Sequence, residues 1–321
     1  MRHILPGDIP VTEVQQLLLG GVGPRPIALV STMSEDGVRN LSPFSFFNAF
    51  GANPPTVAFS PARRIRDGST KDTLHNLKST GECVIQSVTY AMVQQVSLAS
   101  SEYAPDVDEF IKSGLTPIPS DLVRPPRVAE SPFQMECKVQ QIIPLGNSNG
   151  SGNLVICEVL KFHVADGAME GGVIPPDRFD LVARMGGDYY CRASGPAIFT
   201  VRKPVQTRGI GVDALPKFIR ESDILTGNNL GQLGNTEQIP SDKEVALFRS
   251  AIPPQDGGGE VLEQFEHSRE YDKMLGVALR TATSDREQAS RMAIAAAKCA
   301  LDCGDVSFGF KAALVAEQLS D

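Results

Sequence analysis

The chain has 321 residues, of which 41% are hydrophobic, and its 30 Lys and Arg are outnumbered by 38 Asp and Glu, which gives a net charge of -8. This length suffices for one large domain with an extension, or for two domains. The negative charge argues against a general nucleic-acid binder or a protein of anionic membrane surfaces, because no basic tract can neutralise a row of phosphates. No apolar run reaches the ~20 residues of a membrane span, and the N-terminus lacks the hydrophobic region of a signal peptide, so we predict a cytoplasmic protein.

The six cysteines lie far apart and form no CxxC pair. This spacing predicts neither a disulfide framework nor a zinc site. The four histidines show no ligand spacing, so we predict no metal site. The motifs typical of dinucleotide binding, of P-loops, of zinc peptidases and of serine hydrolases are also absent from the sequence.

Residues 22 to 200 consist of short apolar runs broken by Gly, Pro, Asn and Asp, a pattern that predicts a mainly β region. A short helix is expected from Asp72 to Lys78, because Leu74 and Leu77 are three residues apart and Gly81 follows. Since strands recur without regular helices between them, the pattern favours a barrel or a sandwich over a doubly wound sheet. The expected strands are residues 27–33, 56–60, 82–88, 133–145 and 154–164, with a hairpin turn at 35–37 that leads into 39–47.

The pattern changes near residue 204, so we divide the chain into residues 1–204 and 205–321. Residues 205–259 are rich in glycine and predict loops, whereas the sequence from Glu260 onward is helical. We expect the apolar faces of this α-helical extension to dock on the first region or on a second subunit. The glycine-containing segment Ile224–Gly234 is expected to be a loop that covers part of a site.

Small polar side chains concentrate between residues 31 and 76, with Lys71, Asp72 and Thr73 at the start of the predicted helix. A lysine, a hydroxyl and the unpaired amides of a helix N-terminus together suit a phosphate group. Asp72 or Thr73 can equally be a simple helix cap beside a solvated lysine. The segment Asn40–Phe47 also allows two interpretations: it presents polar groups to a heteroaromatic ring, or it is an ordinary half-buried strand.

Taken together, these segments resemble the flavin reductase-like family of FMN-binding split barrels, in the branch that includes flavoredoxin. The resemblance extends over residues 5 to 202. The matching text is PRPIALVST (Pro24–Thr32), NLSPFSFFNAF (Asn40–Phe50), NPPTVAFS (Asn53–Ser60), KDTLHNLKSTGECVIQSV (Lys71–Val88), EVLKFHVADGAM (Glu158–Met169) and LVARMGGDYYCRASG (Leu181–Gly195).

The resemblance implies a Greek-key split β-barrel, a homodimer and FMN held non-covalently near the subunit interface. The residues implied to line the flavin ring and the ribityl chain are Ser31, Thr32, Asn40, Ser42, Pro43, Phe44 and Ser45. Those implied to serve the ribityl and phosphate end are Ser60, Lys71, Asp72, Thr73 and Asn76. His163, Arg184, Tyr189 and Tyr190 match positions that the family keeps near the flavin or the dimer contact, so they are candidates for the catalytic, substrate-binding side. His163 can equally be a histidine of the barrel wall.

The chain departs from the family pattern by inserting PARRIRDGST after Ser60. Its arginines, Arg63, Arg64 and Arg66, suit the phosphates of a nicotinamide nucleotide or an anionic substrate, or they are solvated.

The resemblance implies an oxidoreductase that takes hydride from NAD(P)H with FMN and passes electrons to free flavin or another acceptor; the reductase partner of a monooxygenase is one such role. One alternative is an FMN-dependent reductase with its own small organic substrate, such as a nitroaromatic compound, an activated alkene or an imine. Another is a non-enzymatic flavoprotein that carries electrons. Amides and hydroxyls near the flavin would stabilise the negative charge of the reduced ring. Such chemistry needs no side-chain nucleophile, which agrees with the absence of hydrolase motifs.

Overall fold

The computed structural model describes residues 1–201, 203–204 and 207–320. Contacts within the chain divide it into two compact units, Met1–Thr200 and Val201–Asp321. The strands of the first unit are β1 (Arg25–Pro26), β2 (Ala28–Met33), β3 (Arg39–Phe44), β4 (Phe47–Ala52), β5 (Pro55–Phe59), β6 (Glu82–Gln86), β7 (Pro117–Ile118), β8 (Arg127–Val128), β9 (Phe133–Pro144), β10 (Asn153–Val164), β11 (Val182–Arg184) and β12 (Tyr190–Arg192). Its helices are α1 (Val11–Gly21), α2 (Asp72–Thr80), α3 (Val93–Leu98) and α4 (Glu109–Ser113).

A seven-stranded antiparallel sheet forms the body of the first unit, in the order β3-β2-β6-β9-β10-β5-β4. The long strands β9 and β10 form a hairpin at its centre. A three-stranded sheet, β1-β11-β12, and the pair β7-β8 complete the described pairings. The prediction of a β-rich first region is therefore confirmed, whereas the described pairings do not show a closed barrel, because none of them joins the edge strands β3 and β4.

Strand β2 separates two apolar cores because its side chains alternate in direction. Ala28 and Val30 face a core that includes Leu74 and Leu77 of α2, whereas Leu29 faces a second core that includes Phe110 of α4. Helix α2 follows the predicted pattern: its leucines are buried, and it ends where Gly81 adopts φ 70° and donates its N–H to the Leu77 carbonyl. Burying each leucine contributes roughly 1.5 to 3 kcal/mol, which fixes α2 against the sheet.

The sequence pattern did not indicate strand β4 or helix α1. Strand β4 lies at the edge of the sheet with most of its residues exposed, so it lacks the alternating burial that marks a half-buried strand. Helix α1 has no fully buried residue among its eleven, and its apolar residues Val11, Leu17 and Leu18 are about half exposed. Strand β4 is held by its antiparallel pairing with β5, the next strand along the chain.

The second unit is helical. Its helices are α5 (Lys217–Arg220), α6 (Gly227–Gly234), α7 (Asp242–Ala251), α8 (Gly259–Ser268), α9 (Tyr271–Thr281), α10 (Arg286–Asp302) and α11 (Val306–Ser320). Alanine-rich α10 packs closely against α9 and α11, where small side chains allow helices to approach. The apolar faces that we expected to dock elsewhere thus meet one another in a core of their own.

The predicted loop Ile224–Gly234 is wrong, because most of it is helix α6. Thr226 and Asn229 form a capping box that satisfies the first amides of the helix. Leu225 and Leu233 then enter the core of the second unit. The glycines of this segment suggested a loop because glycine has a poor helix propensity. Here a good cap and two buried leucines offset that poor propensity. In the described part of the chain, no helix has both the length and the hydropathy needed to cross a membrane.

Candidate functional site

Lys71 stands immediately before the first turn of α2, in a half-buried position. Its ammonium donates a hydrogen bond to Ser42 Oγ at 2.8 Å and lies 5.4 Å from the centroid of the Phe44 ring. Burial lowers its pKa, and the charge of Arg64 lowers it further. Within the described residues, no carboxylate forms an ion pair with this ammonium. Lys71 is therefore a charged group without a direct ion pair among the described residues, although the charges of Glu109, Glu102 and Asp72 raise its pKa.

The N-terminus of α2 is open as well. No side chain caps it, and the N-cap residue is Lys71 itself rather than a hydroxyl or carboxylate acceptor. Unpaired amides at this end of a helix carry partial positive charge and favour an anion. The capping alternative for Asp72 and Thr73 is thus not realised by a side-chain hydrogen bond.

The inserted arginines are not simply solvated. Arg64 pairs with Glu102 at 2.8 Å and donates to Ser69 and to the carbonyl of Thr70, while exposed Arg66 pairs with the same glutamate. Arg63 is half-buried; one of its terminal nitrogens donates to the Gly68 carbonyl at 3.1 Å, but its buried Nε has no partner among the described residues. An unpartnered buried N–H costs free energy unless an acceptor reaches it, so Arg63 also favours an anion.

Four of the predicted cofactor residues form a buried hydrogen-bond network instead of facing outward: Thr32, Asn40, Thr73 and Asn76. Asn40 Oδ1 accepts from the hydroxyls of Thr73 at 2.7 Å and Thr32 at 3.2 Å. Asn76 donates to Thr32 at 3.1 Å, which links α2 to β2. Sequence reasoning missed the fifth member, Glu109, which accepts from Asn40 Nδ2 and from the Leu41 amide, each at 3.0 Å. These groups hold α2 and α4 against the sheet.

The remaining predicted cofactor residues lie around β2, β3 and β5. Ser31 is fully buried and its hydroxyl has no partner among the described residues. Phe44 packs against Phe59 with ring centroids 5.3 Å apart, and Pro43 beside it is half-buried. Ser45 receives a long hydrogen bond from Arg25, and Ser60 accepts the amide of Asn153 at 3.1 Å. Asp72 is half-buried at the start of α2.

Arg25, which sequence reasoning did not single out, is 4% exposed. Its guanidinium donates to the carbonyls of Leu19 and Val22 at the end of α1, and to the carbonyl of Met185 at 2.9 Å. Burial lowers its pKa, and the charge of Arg184 lowers it further. Arg25 thus joins α1 to β11 and leaves two arginine charges close together.

His163 lies apart from these groups. Its Nε2 is 2.6 Å from Oε1 of Glu136, a fully buried carboxylate that also accepts the amides of Asp121, Leu122 and Val123. Burial alone would raise the pKa of Glu136, but these amides and the histidine together lower it. Asp121, Glu136 and His163 come within 4.8 Å of one another, a grouping that spacing along the sequence concealed. Because the Glu136 oxygens already accept backbone amides, we read this cluster as an anchor for the loop at residues 121–123.

Arg184 and Tyr190, by contrast, line a shared cleft of about 360 Å³ between the segment after β6 and the β11-β12 hairpin. The Arg184 guanidinium lies 4.6 Å from the Tyr190 ring centroid. The cleft also contains Tyr90 and Arg192, stacked 3.9 Å apart, which sequence reasoning missed because Tyr90 lies far from the hairpin along the chain. Tyr189 is 77% exposed and does not line it. The structure therefore places the four substrate-side candidates in three environments, with Arg184 and Tyr190 together in the cleft.

Comparison with known proteins identifies the fold. The sequence profile of the flavin reductase like domain matches residues 21–180. The chain belongs to the flavin reductase-like family. A flavin-related oxidoreductase function follows at the level of the family. The match ends before the second unit begins, so the family says nothing about the helices α5–α11.

Three solved structures resemble this chain over nearly their whole lengths. Nitrilotriacetate monooxygenase component B from Bacillus cereus is 32% identical with a TM-score of 0.59, and the match covers 63% of this chain and 98% of that one. The 2-nitrobenzoate 2-nitroreductase of Pseudomonas fluorescens is 27% identical with a TM-score of 0.56, covering 65% and 100%. A putative flavin reductase with a split barrel domain from Shewanella frigidimarina is 26% identical with a TM-score of 0.54, covering 63% and 100%.

Proposed function

We propose that this protein binds FMN, takes reducing equivalents from NAD(P)H and passes them to free flavin or another acceptor. The observation that carries the proposal is Lys71, which has no carboxylate ion-pair partner among the described residues and precedes the uncapped N-terminus of α2. Arg63, earlier in the inserted segment, adds a buried Nε without a partner among those residues. Such a group suits the phosphate of FMN, because its positive charges have no carboxylate ion-pair partner among the described residues and the helix N-terminus has no side-chain cap. We name this group, Lys71, Arg63 and the first amides of α2, the phosphate cradle.

The residues of β2 and β3 would serve the rest of the cofactor. Ser31 offers a free hydroxyl, and Ser42, Pro43, Phe44 and Ser45 follow one another along the chain beside Lys71. Bound FMN would supply the acceptance of hydride and the onward transfer of electrons, chemistry that no side chain of the protein needs to provide. We assign Thr32, Asn40, Thr73 and Asn76 a positioning role, since their hydrogen bonds hold α2 in place.

A second candidate function is the reduction of a small organic substrate. Two features favour it: the cleft at Arg184, which has the size of a site for a small molecule, and the similarity to a protein whose name is 2-nitrobenzoate 2-nitroreductase. The similarity to a monooxygenase component B instead supports a reductase that serves a monooxygenase partner. The two functions differ in their electron acceptor.

We further propose that the protein is a homodimer. Strand β4 is an edge strand; Phe50 on it is 68% exposed, and Phe46, which immediately precedes it, is 39% exposed. Exposed aromatic residues on an unpaired edge suit a protein interface. Light scattering coupled to size-exclusion chromatography would give twice the 34.5 kDa chain mass for a dimer, and the chain mass itself would refute it.

The function is tested by following NAD(P)H oxidation by the purified protein loaded with FMN. Strong stimulation by excess free flavin would support a reductase that lends out reduced flavin. Tightly held FMN with oxidation that depends on a nitroaromatic acceptor and not on free flavin would support the second function. Tightly held FMN that NADH and NADPH cannot reduce would show a non-enzymatic electron carrier, and a protein that retains no flavin under any condition would refute the proposal.

A further inference from the structure

The cleft at Arg184 has an unusual composition for its size. Its walls pair two guanidinium groups with two tyrosine rings: Arg184 with Tyr190 and Arg192 with Tyr90. Val182, which is 6% exposed, and Val93 add an apolar surface. Flat rings and planar cations beside an apolar floor offer stacking surfaces on which another planar group can lie.

The two arginines differ in charge balance. Arg192 donates two hydrogen bonds of 2.7 Å to Asp180, so its charge is compensated. Arg184 has no ion pair among the described residues, although Asp188 also lines the cleft. Arg184 is also near buried Arg25, whose pKa it lowers, and Arg25 contacts backbone carbonyls instead of a carboxylate. An anion in the cleft would therefore meet one free guanidinium reinforced by a second positive charge behind it.

The polar groups of the two tyrosines are also available. Neither the Tyr90 hydroxyl nor the Tyr190 hydroxyl has a hydrogen-bond partner within the part of the chain that the structure describes. A phenol hydroxyl can donate to a carboxylate oxygen. The cleft thus combines one free planar cation, two phenol donors and an apolar floor.

We infer that this cleft binds a single-ring aromatic carboxylate, with the carboxylate on Arg184 and the ring against the tyrosines and valines. The planar fork of arginine matches a carboxylate in a two-bond geometry. A volume of about 360 Å³ lies at the small end of ligand sites, which suits one ring rather than a dinucleotide. Only the role of this carboxylate as the organic substrate rests on the proposed function. Its binding to the cleft requires no flavin.

The test is ligand-detected fluorine NMR of 4-fluorobenzoate titrated with the full-length protein. Its dissociation constant is compared with those of 4-fluorobenzamide, which keeps the ring but loses the charge, and of cyclohexanecarboxylate and inorganic phosphate as competitors. We expect 4-fluorobenzoate to bind at least about tenfold more tightly than the amide. We also expect it to be displaced weakly by cyclohexanecarboxylate and by phosphate. Equal binding of acid and amide would overturn the anion site, and equal displacement by phosphate would overturn the aromatic part.

The variants locate the site. Arg184→Gln should weaken 4-fluorobenzoate binding at least about tenfold, and Tyr90→Leu should weaken it without removing any charge. The matched control is Arg178→Gln, which alters an exposed arginine of the same unit that pairs with Glu170 outside the cleft. If Arg184→Gln and Tyr90→Leu, both with native circular dichroism, bind as tightly as the control, the inference fails.

FMN retention is measured on the same samples. Loss of 4-fluorobenzoate binding in Arg184→Gln with FMN binding unchanged supports the cleft as a separate site. A wild-type protein that binds the acid but no flavin would refute the proposed function and leave this inference standing. A wild-type protein that binds flavin but no acid would refute this inference and leave the proposed function standing.

Discussion

Helix α2 presents two kinds of polar group that look alike in sequence and behave oppositely in the structure. One residue pair of the helix, Thr73 and Asn76, is buried in a network in which donors and acceptors satisfy each other through Asn40 and Glu109. At the start of the same helix, Lys71 keeps a charge without a carboxylate partner. The comparison teaches that satisfied polar groups build the fold, whereas unsatisfied ones indicate where a ligand belongs.

The largest effect is expected from breaking the buried network. Asn40→Leu removes an acceptor for two threonine hydroxyls and a donor to Glu109 while keeping a similar side-chain volume. Each group left unsatisfied costs roughly 1 to 3 kcal/mol, so amide hydrogen exchange in α2 and β3 should accelerate strongly. Ser79→Ala is the control, because its hydroxyl contacts only the Asn76 carbonyl of its own helix. Equal exchange in the two variants would contradict the role of the network.

The second effect concerns pH and Lys71. Its pKa in the free protein is below the ordinary 10.5, because burial and Arg64 disfavour the charged form. As the pH rises through this lowered pKa, the ammonium loses its proton and the cradle loses a positive charge. The FMN phosphate stays doubly ionised throughout, since its second pKa is about 6. FMN affinity should therefore fall at least about tenfold between neutral pH and pH 10.5.

Fluorescence titration of FMN across this range measures the effect. Lys71→Arg should remove most of the slope, because arginine stays protonated. A wild-type affinity that stays constant to pH 10.5 would show that Lys71 does not contact the phosphate.

A smaller effect is expected from Arg63→Gln. If the buried Nε reaches the phosphate, its loss should weaken FMN binding roughly three- to tenfold. The matched control is Arg66→Gln, since Arg66 is exposed and already paired with Asp67 and Glu102. The same modest change in both variants would indicate a general effect of charge rather than a contact.

The smallest effect is on the pH dependence of stability. Burial raises the pKa of Glu109 above its ordinary 4.5, so the folded state binds this proton more tightly than the unfolded state. The contribution of Glu109 to the free energy of unfolding is therefore largest below pH 4.5 and declines as the pH rises through its folded pKa. Comparing urea unfolding of wild type and Glu109→Gln over this range isolates the slope. A difference between the two proteins that does not change with pH would contradict the assignment.

The sequence predicted the strands β2, β3, β5, β6, β9 and β10 and the position of α2, because alternating apolar residues and a helix-ending Gly81 act locally. It also located Lys71 and its helix N-terminus. It did not indicate the short strands β1, β7, β8, β11 and β12 or the edge strand β4. It did not predict which of the neighbouring polar residues are satisfied. The partner that decides the question, Glu109, is 69 residues from Asn40 along the chain, and no local pattern connects them. The same holds for Tyr90, which reaches the cleft of Arg184 only through the tertiary fold.

The helices of the second unit show a different limit of sequence reasoning. Glycines in Gly227–Gly234 suggested a loop, whereas the capping box at Thr226 and the burial of Leu233 determine a helix. Helix propensity is weak beside these tertiary contacts. In a segment with several glycines, a capping motif and leucines at helical spacing are therefore better indicators of a helix than the number of glycines.

The most direct measurement of the central claim is the ratio of FMN affinity to riboflavin affinity in wild type and in Lys71→Gln. The two ligands differ only in the phosphate, so the ratio isolates the contact that we assign to the cradle. We predict that wild type prefers FMN by at least about tenfold, and that Lys71→Gln loses most of this preference while riboflavin affinity stays the same. An unchanged ratio in a folded Lys71→Gln protein would contradict the account.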